Sequence, residues 1–297
     1  MLKKSIAILS ALLCSSFMLL AKKPAAKQTE NNKSLLWEIS GNRLKQKSYL
    51  FGTIHMICKA DYVWTSNMNE ALKASDKVVL ELDMDDPVIT TAVNSSMMTE
   101  DGKTLKDYFS TEDYAKLEIA AKAQQLPLPM LQQFKPIALM SLLYTKALTC
   151  PIPSSYEMNL VELAKAQQKE VLGIESPEEQ MSVLEGMNND STASAIVKYI
   201  SSIDSFKMMF GALLNSYKNQ DLPELYKLIV SSPEMADDLN GLLYERNKRW
   251  IPRMKILMEA QPCFFAVGAG HLWGNDGVID LLHKAGYTVK PIHDKEQ

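Results

Sequence analysis

Four histidines occur in the chain, His55, His271, His283 and His293, and two of them share one setting. The apolar run Ser48 to Phe51 leads directly into Gly52-Thr53-Ile54-His55, and the run Cys263 to Val267 leads into Gly268-Ala269-Gly270-His271. Glycine lets the backbone leave a buried strand through a conformation that a Cβ would forbid. It can thereby put a side chain three residues later at the strand's carboxyl end, where open α/β sheets bind their ligands. A single Gly-x-x-His is a weak signal, compatible with a structural histidine. Two in matching contexts point to a joint site, because sites gather convergent polar groups, and imidazole can either ligate a metal or move a proton near neutral pH. His283 and His293 lack the glycine setting and read as surface or structural residues.

Acids stand at the ends of other apolar runs. Glu81 and Asp83 fall on one face of Lys77 to Asp83 by period two, and Glu175 follows Val171 to Ile174. An acid there is costly to bury unless it is paired or bound to metal. Glu81, deeper in its run, is the stronger functional candidate; Asp83, followed by Asp85 and Asp86, fits a helix cap or surface charge; Glu175 fits either reading. Arg246 and Asn247 supply a group able to hold a carboxylate bidentately or meet an oxyanion and a group able to orient substrate, although the neighbouring Lys248 and Arg249 also suit a solvated helical face.

The elements that must position these residues follow from hydrophobic pattern. Strands are expected at Leu35 to Ser40 and Ser48 to Phe51 as a hairpin across Gly41-Asn42, then at Lys77 to Asp83, Glu170 to Ile174, Cys263 to Val267 and Tyr287 to Ile292. Helices are expected at Asn67 to Ser75, Thr111 to Gln125 behind a Ser110 cap, Met130 to Ala147, Tyr156 to Gln168, Ser191 to Tyr217, Pro233 to Glu259 and Gly274 to Ala285, with Pro136 and Pro252 as candidate kinks. The fold class is therefore α/β (or α+β): a central sheet with strand-end Gly-x-x-His motifs and a large helical insertion over about residues 100–260. Five of the chain's 12 glycines, Gly268, Gly270, Gly274, Gly277 and Gly286, crowd the last block, so backbone shape matters there.

Composition narrows the function. The 297 residues are 46% hydrophobic, enough for a full core, and 32 Lys+Arg against 35 Asp+Glu give a net charge of −3 without a basic run, which argues against a nucleic-acid partner. Residues 1–21 carry Lys3 and Lys4, an apolar run too short to span a bilayer and a final Ala21, the pattern of a secretory signal peptide. Residues 22–34 read as a polar linker and 35–297 as a single domain. The expected location is secreted or periplasmic, with no stable membrane span after signal removal. Of the cysteines beyond the signal, Cys58, Cys150 and Cys263, at most two can pair within the chain, and each is read as a buried thiol packing as a small hydrophobe.

These residues resemble the TraB/PrgY/GumN group, which includes the Tiki ectodomains. The resemblance runs from Leu35 to Ile292 on LFGTIH (Leu50 to His55), ELD (Glu81 to Asp83), GIESPEEQ (Gly173 to Gln180), ERN (Glu245 to Asn247) and the long block Val267 to Val289. It implies an α/β base with a helical insertion and, as in Tiki proteins, metal-dependent peptidase activity using the two motif histidines and acids. Where the family pattern carries an acid in a Gly-x-Asp element, this chain reads Glu157-Met158-Asn159, so the acid is lost at Asn159 unless Glu157 substitutes. The expected function is a metal-dependent hydrolase of the peptidase kind, taking a peptide or small-molecule substrate. His55, His271 and Glu81 would hold a divalent metal (Mn, Co or Zn), with Glu81 alternatively the base, Glu175 a second acid, and Arg246 and Asn247 contacting substrate. The alternatives are a non-catalytic protein sequestering a peptide or cofactor in the same cleft, and a metal-free esterase-like hydrolase with His55 as base.

Overall fold

The computed structural model describes residues 33–100, 102–186, 189–232, 235 and 238–294. The expected signal segment and almost all of the linker lie outside the described residues. Ser34, read as the last linker residue, is buried, and its hydroxyl donates to the carbonyls of Leu36 and Ile292.

Six strands form the central sheet: β1 (Leu36–Gly41), β2 (Ser48–Thr53), β4 (Lys77–Leu80), β6 (Glu170–Gly173), β7 (Cys263–Gly268) and β8 (Tyr287–Pro291), with β3 (Ile57–Cys58) and β5 (Pro153–Ser154) making a separate small ladder. The sheet order is β6-β4-β7-β2-β1-β8. β1 is antiparallel to both of its neighbours, whereas β6, β4, β7 and β2 run parallel. The unbroken apolar run of β7 suits its central place, since parallel strands covered on both faces cannot alternate with polar residues.

Helices α1 (Ser66–Lys73), α2 (Pro87–Ser96), α3 (Thr111–Ala123), α4 (Pro136–Ala147), α5 (Tyr156–Ala166), α6 (Pro177–Gly186), α7 (Asn189–Ser201), α8 (Ile203–Lys218), α9 (Leu222–Val230), α10 (Glu245–Ala260) and α11 (Val278–Lys284) complete the chain. The main core joins the sheet to α1, α5, α10 and α11; on α5 the buried stripe is Tyr156, Leu160, Val161 and Ala164, one helical face. A second core lies among α3, α4 and α7, around Leu117, Leu143 and Ile196. β5, α5 and β6 bring the chain back to the sheet midway through the helical stretch.

Three differences from the expected elements have local causes. The helix expected from Met130 starts at Pro136, whose fixed φ and missing N–H suit a first turn. The run expected as one helix over Ser191 to Tyr217 breaks at Ser202, where φ and ψ are −133° and 52°. The strand expected to reach Asp83 ends at Leu80, and Asp86, not Asp83, caps the next helix by accepting from the Val88 N–H at 2.8 Å.

The reading of all three cysteines as buried thiols is corrected. Cys58 and Cys150 form a disulfide across 92 residues, and Cys263 alone is a buried free thiol. The antiparallel pairing of β3 with β5, Cys58 opposite Pro153, brings the two sulfurs together. Spacing along the chain could not show that proximity.

Candidate active site at the carboxyl edge of the sheet

Because β6, β4, β7 and β2 are parallel neighbours, their carboxyl ends share one edge, and each delivers one of the four residues singled out by sequence. Thr53 lies beside Gly268 in the register, so the two Gly-x-x-His elements leave the sheet side by side. Glu81 follows β4 directly, and Glu175 follows β6 two residues after its end. The ladder between them continues past the strands through Ile174 N–H to Leu80 O and Glu175 N–H to Glu81 O, which sets both acids at the same height.

Arg246, at the start of α10, joins the acids to His271. Its Nε donates to Glu175 at 3.0 Å, and its Nη2 donates to Glu175 Oε2 at 2.8 Å, Glu81 Oε2 at 2.6 Å and Gln180 Oε1 at 3.0 Å. Nη1 donates to Leu242 O at 3.1 Å and faces His271 Nε2 at 3.2 Å. All five guanidinium hydrogens thus have partners within the protein. A single π-helical turn, Asn240–Tyr244, precedes α10 and carries the Leu242 carbonyl that receives Nη1. Trp250, one turn along α10, donates to Glu175 Oε1 at 2.9 Å and lies 4.4 Å from the His271 ring between centroids.

Asn247 fixes the tautomer of His271. Its Nδ2 donates to the His271 and Asp276 carbonyls, which leaves Oδ1 to accept from His271 Nδ1 at 2.6 Å. Nε2 therefore carries the lone pair and points toward Arg246 and, at 3.9 Å, Glu81 Oε1. Burial pushes the imidazole down to about 3, so it is neutral at physiological pH. Burial alone would raise the Glu81 carboxyl, but the Arg246 guanidinium, both imidazoles and the Gly268 N–H, which donates to Oε1 at 2.8 Å, hold it well below the usual carboxylate range. A Cβ on Gly268 would stand 3.3 Å from that oxygen, so glycine permits the close approach.

His55 sits at the same edge but in a different environment. Its side chain is 80% exposed, and its Nδ1 lies 3.4 Å from Glu157 Oε1. Glu157 also accepts from Thr53 Oγ1 and Ser155 Oγ, both at 3.0 Å. The hydrogen bond and charge of Glu157 raise the imidazole to about 9, an attraction that the surrounding water screens. The structure therefore gathers Glu81, Glu175, Arg246, Asn247 and His271 into one network and leaves His55 beside it, within electrostatic reach of Glu81 and His271.

The family model for the TraB/PrgY/gumN proteins matches residues 35–291, which covers the sheet, both histidine motifs and α10. The chain belongs to that family. Among curated relatives of this TraB/PrgY/gumN chain, Metalloprotease TIKI1 of Homo sapiens is 28% identical over 90% of the chain and 64% of its own length. Metalloprotease TIKI2 of Danio rerio is 27% identical over 92% and 63%, and a Metalloprotease TIKI homolog of Nematostella vectensis is 23% identical over 90% and 69%. The chain thus spans a little under two thirds of the length of the first two. No solved structure matches.

The names of these relatives imply a metal, so the donors of this TraB/PrgY/gumN site bear testing against one. His271 Nε2 and Glu81 Oε1 are donors of the right kind, and a histidine whose other nitrogen is held by an amide oxygen is a common ligand arrangement. As placed, however, Nε2 faces an Arg246 N–H, His55 turns Nδ1 to Glu157, and among the described residues no group of three His, Cys, Asp or Glu side chains is arranged to hold an ion. The pair does not make a closed metal site.

Trp250 and Gln180 are not among the site candidates that the sequence pattern marks, and Glu157 enters there only as a substitute for Asn159. Trp250 shares a helix face with Arg246 at i+4, a spacing that was available in the sequence. Gln180 and Glu157 reach the site through tertiary packing, which carries no local signature.

Proposed function

We propose that this chain is a hydrolase of the peptidase class that works outside the cytoplasm, with peptides as substrates at the carboxyl edge of β2, β7, β4 and β6. The observation that carries the reading is the opposite environment of the two motif histidines on adjacent strands. Paired groups whose surroundings push their pKa values apart are the signature of divided acid and base roles. His271 is buried between Asn247 and Arg246, and burial favours its neutral form. His55 is exposed, and the neighbouring Glu157 carboxylate favours its protonated form.

Amide hydrolysis adds water to the carbonyl carbon and breaks the C–N bond, and the departing nitrogen must receive a proton. In this reading His55 donates that proton, and the proton that the attacking water sheds passes to solvent, from which His55 is recharged. The Glu81–Arg246–Glu175 cluster keeps fixed charges under the reacting region, and Glu81, held far below the usual range, suits the role of an anchored anion better than that of a base. The relatives named as metalloproteases support peptide cleavage as the reaction class, and metal dependence enters the proposal from their names. The Cys58–Cys150 disulfide and the leader-like residues 1–21 support an oxidising, extracytoplasmic location. Among the described residues no helix is long and apolar enough to cross a membrane.

The test is elemental analysis of protein purified without chelator, followed by cleavage of a quenched fluorescent peptide library with EDTA, Mn²⁺, Co²⁺ or Zn²⁺. Cleavage lost in His55→Ala, with the melting temperature kept, supports the proposal. Peptide binding without turnover under every condition refutes it in favour of sequestration.

A further inference from the structure

We infer that Glu157 is the positioning residue of His55, turning Nδ1 of the imidazole inward so that Nε2 is presented to the cleft. The inference rests on the role proposed above for His55. A side chain that is 80% exposed has little packing to fix its rotamer, so a working orientation must come from a polar tether. Glu157 is the side chain that meets the ring, and it is itself held from two directions. Thr53, two residues before His55 on β2, donates to Oε1, and Ser155, the cap of α5, donates to Oε2. A carboxylate with both oxygens engaged has one orientation to offer.

The two segments are also fastened to each other just beyond these residues. β3 begins two residues after His55, and its Ile57 and Cys58 pair with Ser154 and Pro153 of β5. The Cys58–Cys150 disulfide closes the same junction. The His55 loop and the first turn of α5 thus move as one piece, and the contact does not depend on Asn159, whose amide donates to Ser154 Oγ at 2.8 Å. A carboxylate accepting from one imidazole nitrogen selects the tautomer and aims the other nitrogen, as outer partners do for working histidines elsewhere.

The chain's four histidines make ¹⁵N-histidine NMR tractable, with His55→Ala assigning the signal. In the wild type, neutral His55 is expected as the Nδ1–H tautomer; Glu157→Ala should shift it to Nε2–H, and Glu157→Asp should restore Nδ1–H. On the peptide library, Glu157→Ala should lower kcat by about 10- to 100-fold with KM little changed, and Glu157→Asp should recover part of the loss. Should the alanine variant unfold, Glu157→Met, which keeps the length of the side chain but offers no carboxylate or amide oxygen, takes its place in both measurements. An unchanged tautomer in the variant lacking the carboxylate overturns the inference, whatever the activity. A wild type that cleaves no peptide while the tautomer still follows Glu157 overturns the proposed function and leaves the positioning role standing.

Discussion

Arg246→Met is the perturbation that the site geometry makes most informative. Methionine keeps much of the buried stem but removes all five donors, leaving the mostly buried Glu81 without its cation and Glu175, whose side chain has no exposure, with only Arg249 Nη2 at 3.7 Å. Breaking a buried pair by removing one partner costs about 3–5 kcal/mol, because the remaining charge has neither water nor counter-ion. For a domain of this size each kcal/mol moves the melting temperature by about 2–4 °C, so the variant should melt roughly 10 °C lower near neutral pH. The pH dependence separates electrostatics from packing. In the wild type Glu81 lies below its ordinary value of 4.5, so its contribution is present above that pH and is lost on acidification. In the variant, burial is opposed only by the imidazoles and the Gly268 N–H, so the folded-state value of Glu81 rises and the loss on acidification shrinks. The variant's slope is the shallower, and the gap between the two proteins should narrow on acidification through the carboxylate range. Paired calorimetric scans read this directly, and Arg246→Met combined with Glu175→Gln should lose less than the sum of the single changes. A gap that stays constant with pH, or an additive double variant, would refute the reasoning.

His271→Gln should flatten the acid limb of the stability curve. The imidazole lies near 3 when folded against an ordinary value of 6.5, so wild-type stability falls as pH drops below about 6.5 toward 3, and a denaturation series that shows equal limbs would count against it. Replacing Cys58 and Cys150 by serine should cost about 2–5 kcal/mol in urea unfolding, given the 92-residue separation, and should lower peptide cleavage further by freeing the His55 loop; unchanged values for both would remove the disulfide from the site's support. Gly277→Ala should cost about 1–3 kcal/mol, since its Cβ would collide with the Trp273 carbonyl oxygen, and thermal melting at wild-type temperature would show that this turn gives way freely.

Much of this arrangement was legible because it depends on strand ends. The strand ends expected at Phe51, Asp83, Ile174 and Val267 lie within three residues of those observed at Thr53, Leu80, Gly173 and Gly268, and His55, Glu81, Glu175 and His271 meet at one edge because those strands are parallel. Arg246 and Asn247 were visible as residue types, yet whether they faced solvent or core was not, because the charged neighbours Lys248 and Arg249 blur the helical pattern. The structure buries the first pair, and Lys248 pairs with Glu245 at the exposed surface. Glu157, Gln180 and the Cys58–Cys150 bridge were beyond local reading, since each depends on which segment packs beside which, over separations of 66 to 104 residues.

The two Gly-x-x-His elements also show what a short motif can and cannot specify. Both put a histidine at the end of one of two neighbouring parallel strands, and up to that point the glycine and the register decide the outcome. Beyond His271 the chain stays apolar through Leu272 and Trp273, and Ile229 of α9 and Leu243 of the π turn close over Gly270, so the imidazole is sealed among Asn247, Arg246 and Trp250. Beyond His55 the chain turns away into β3, and the disulfide-linked ladder with β5 carries the following residues off the sheet, so the ring remains in water with Glu157 beside it. Identical local signals therefore give a buried, hydrogen-bonded imidazole on one strand and an exposed one beside a carboxylate on the next. The difference lies in the elements that cover each turn, and it leaves a single sheet edge with a buried polar network and, beside it, an imidazole open to water.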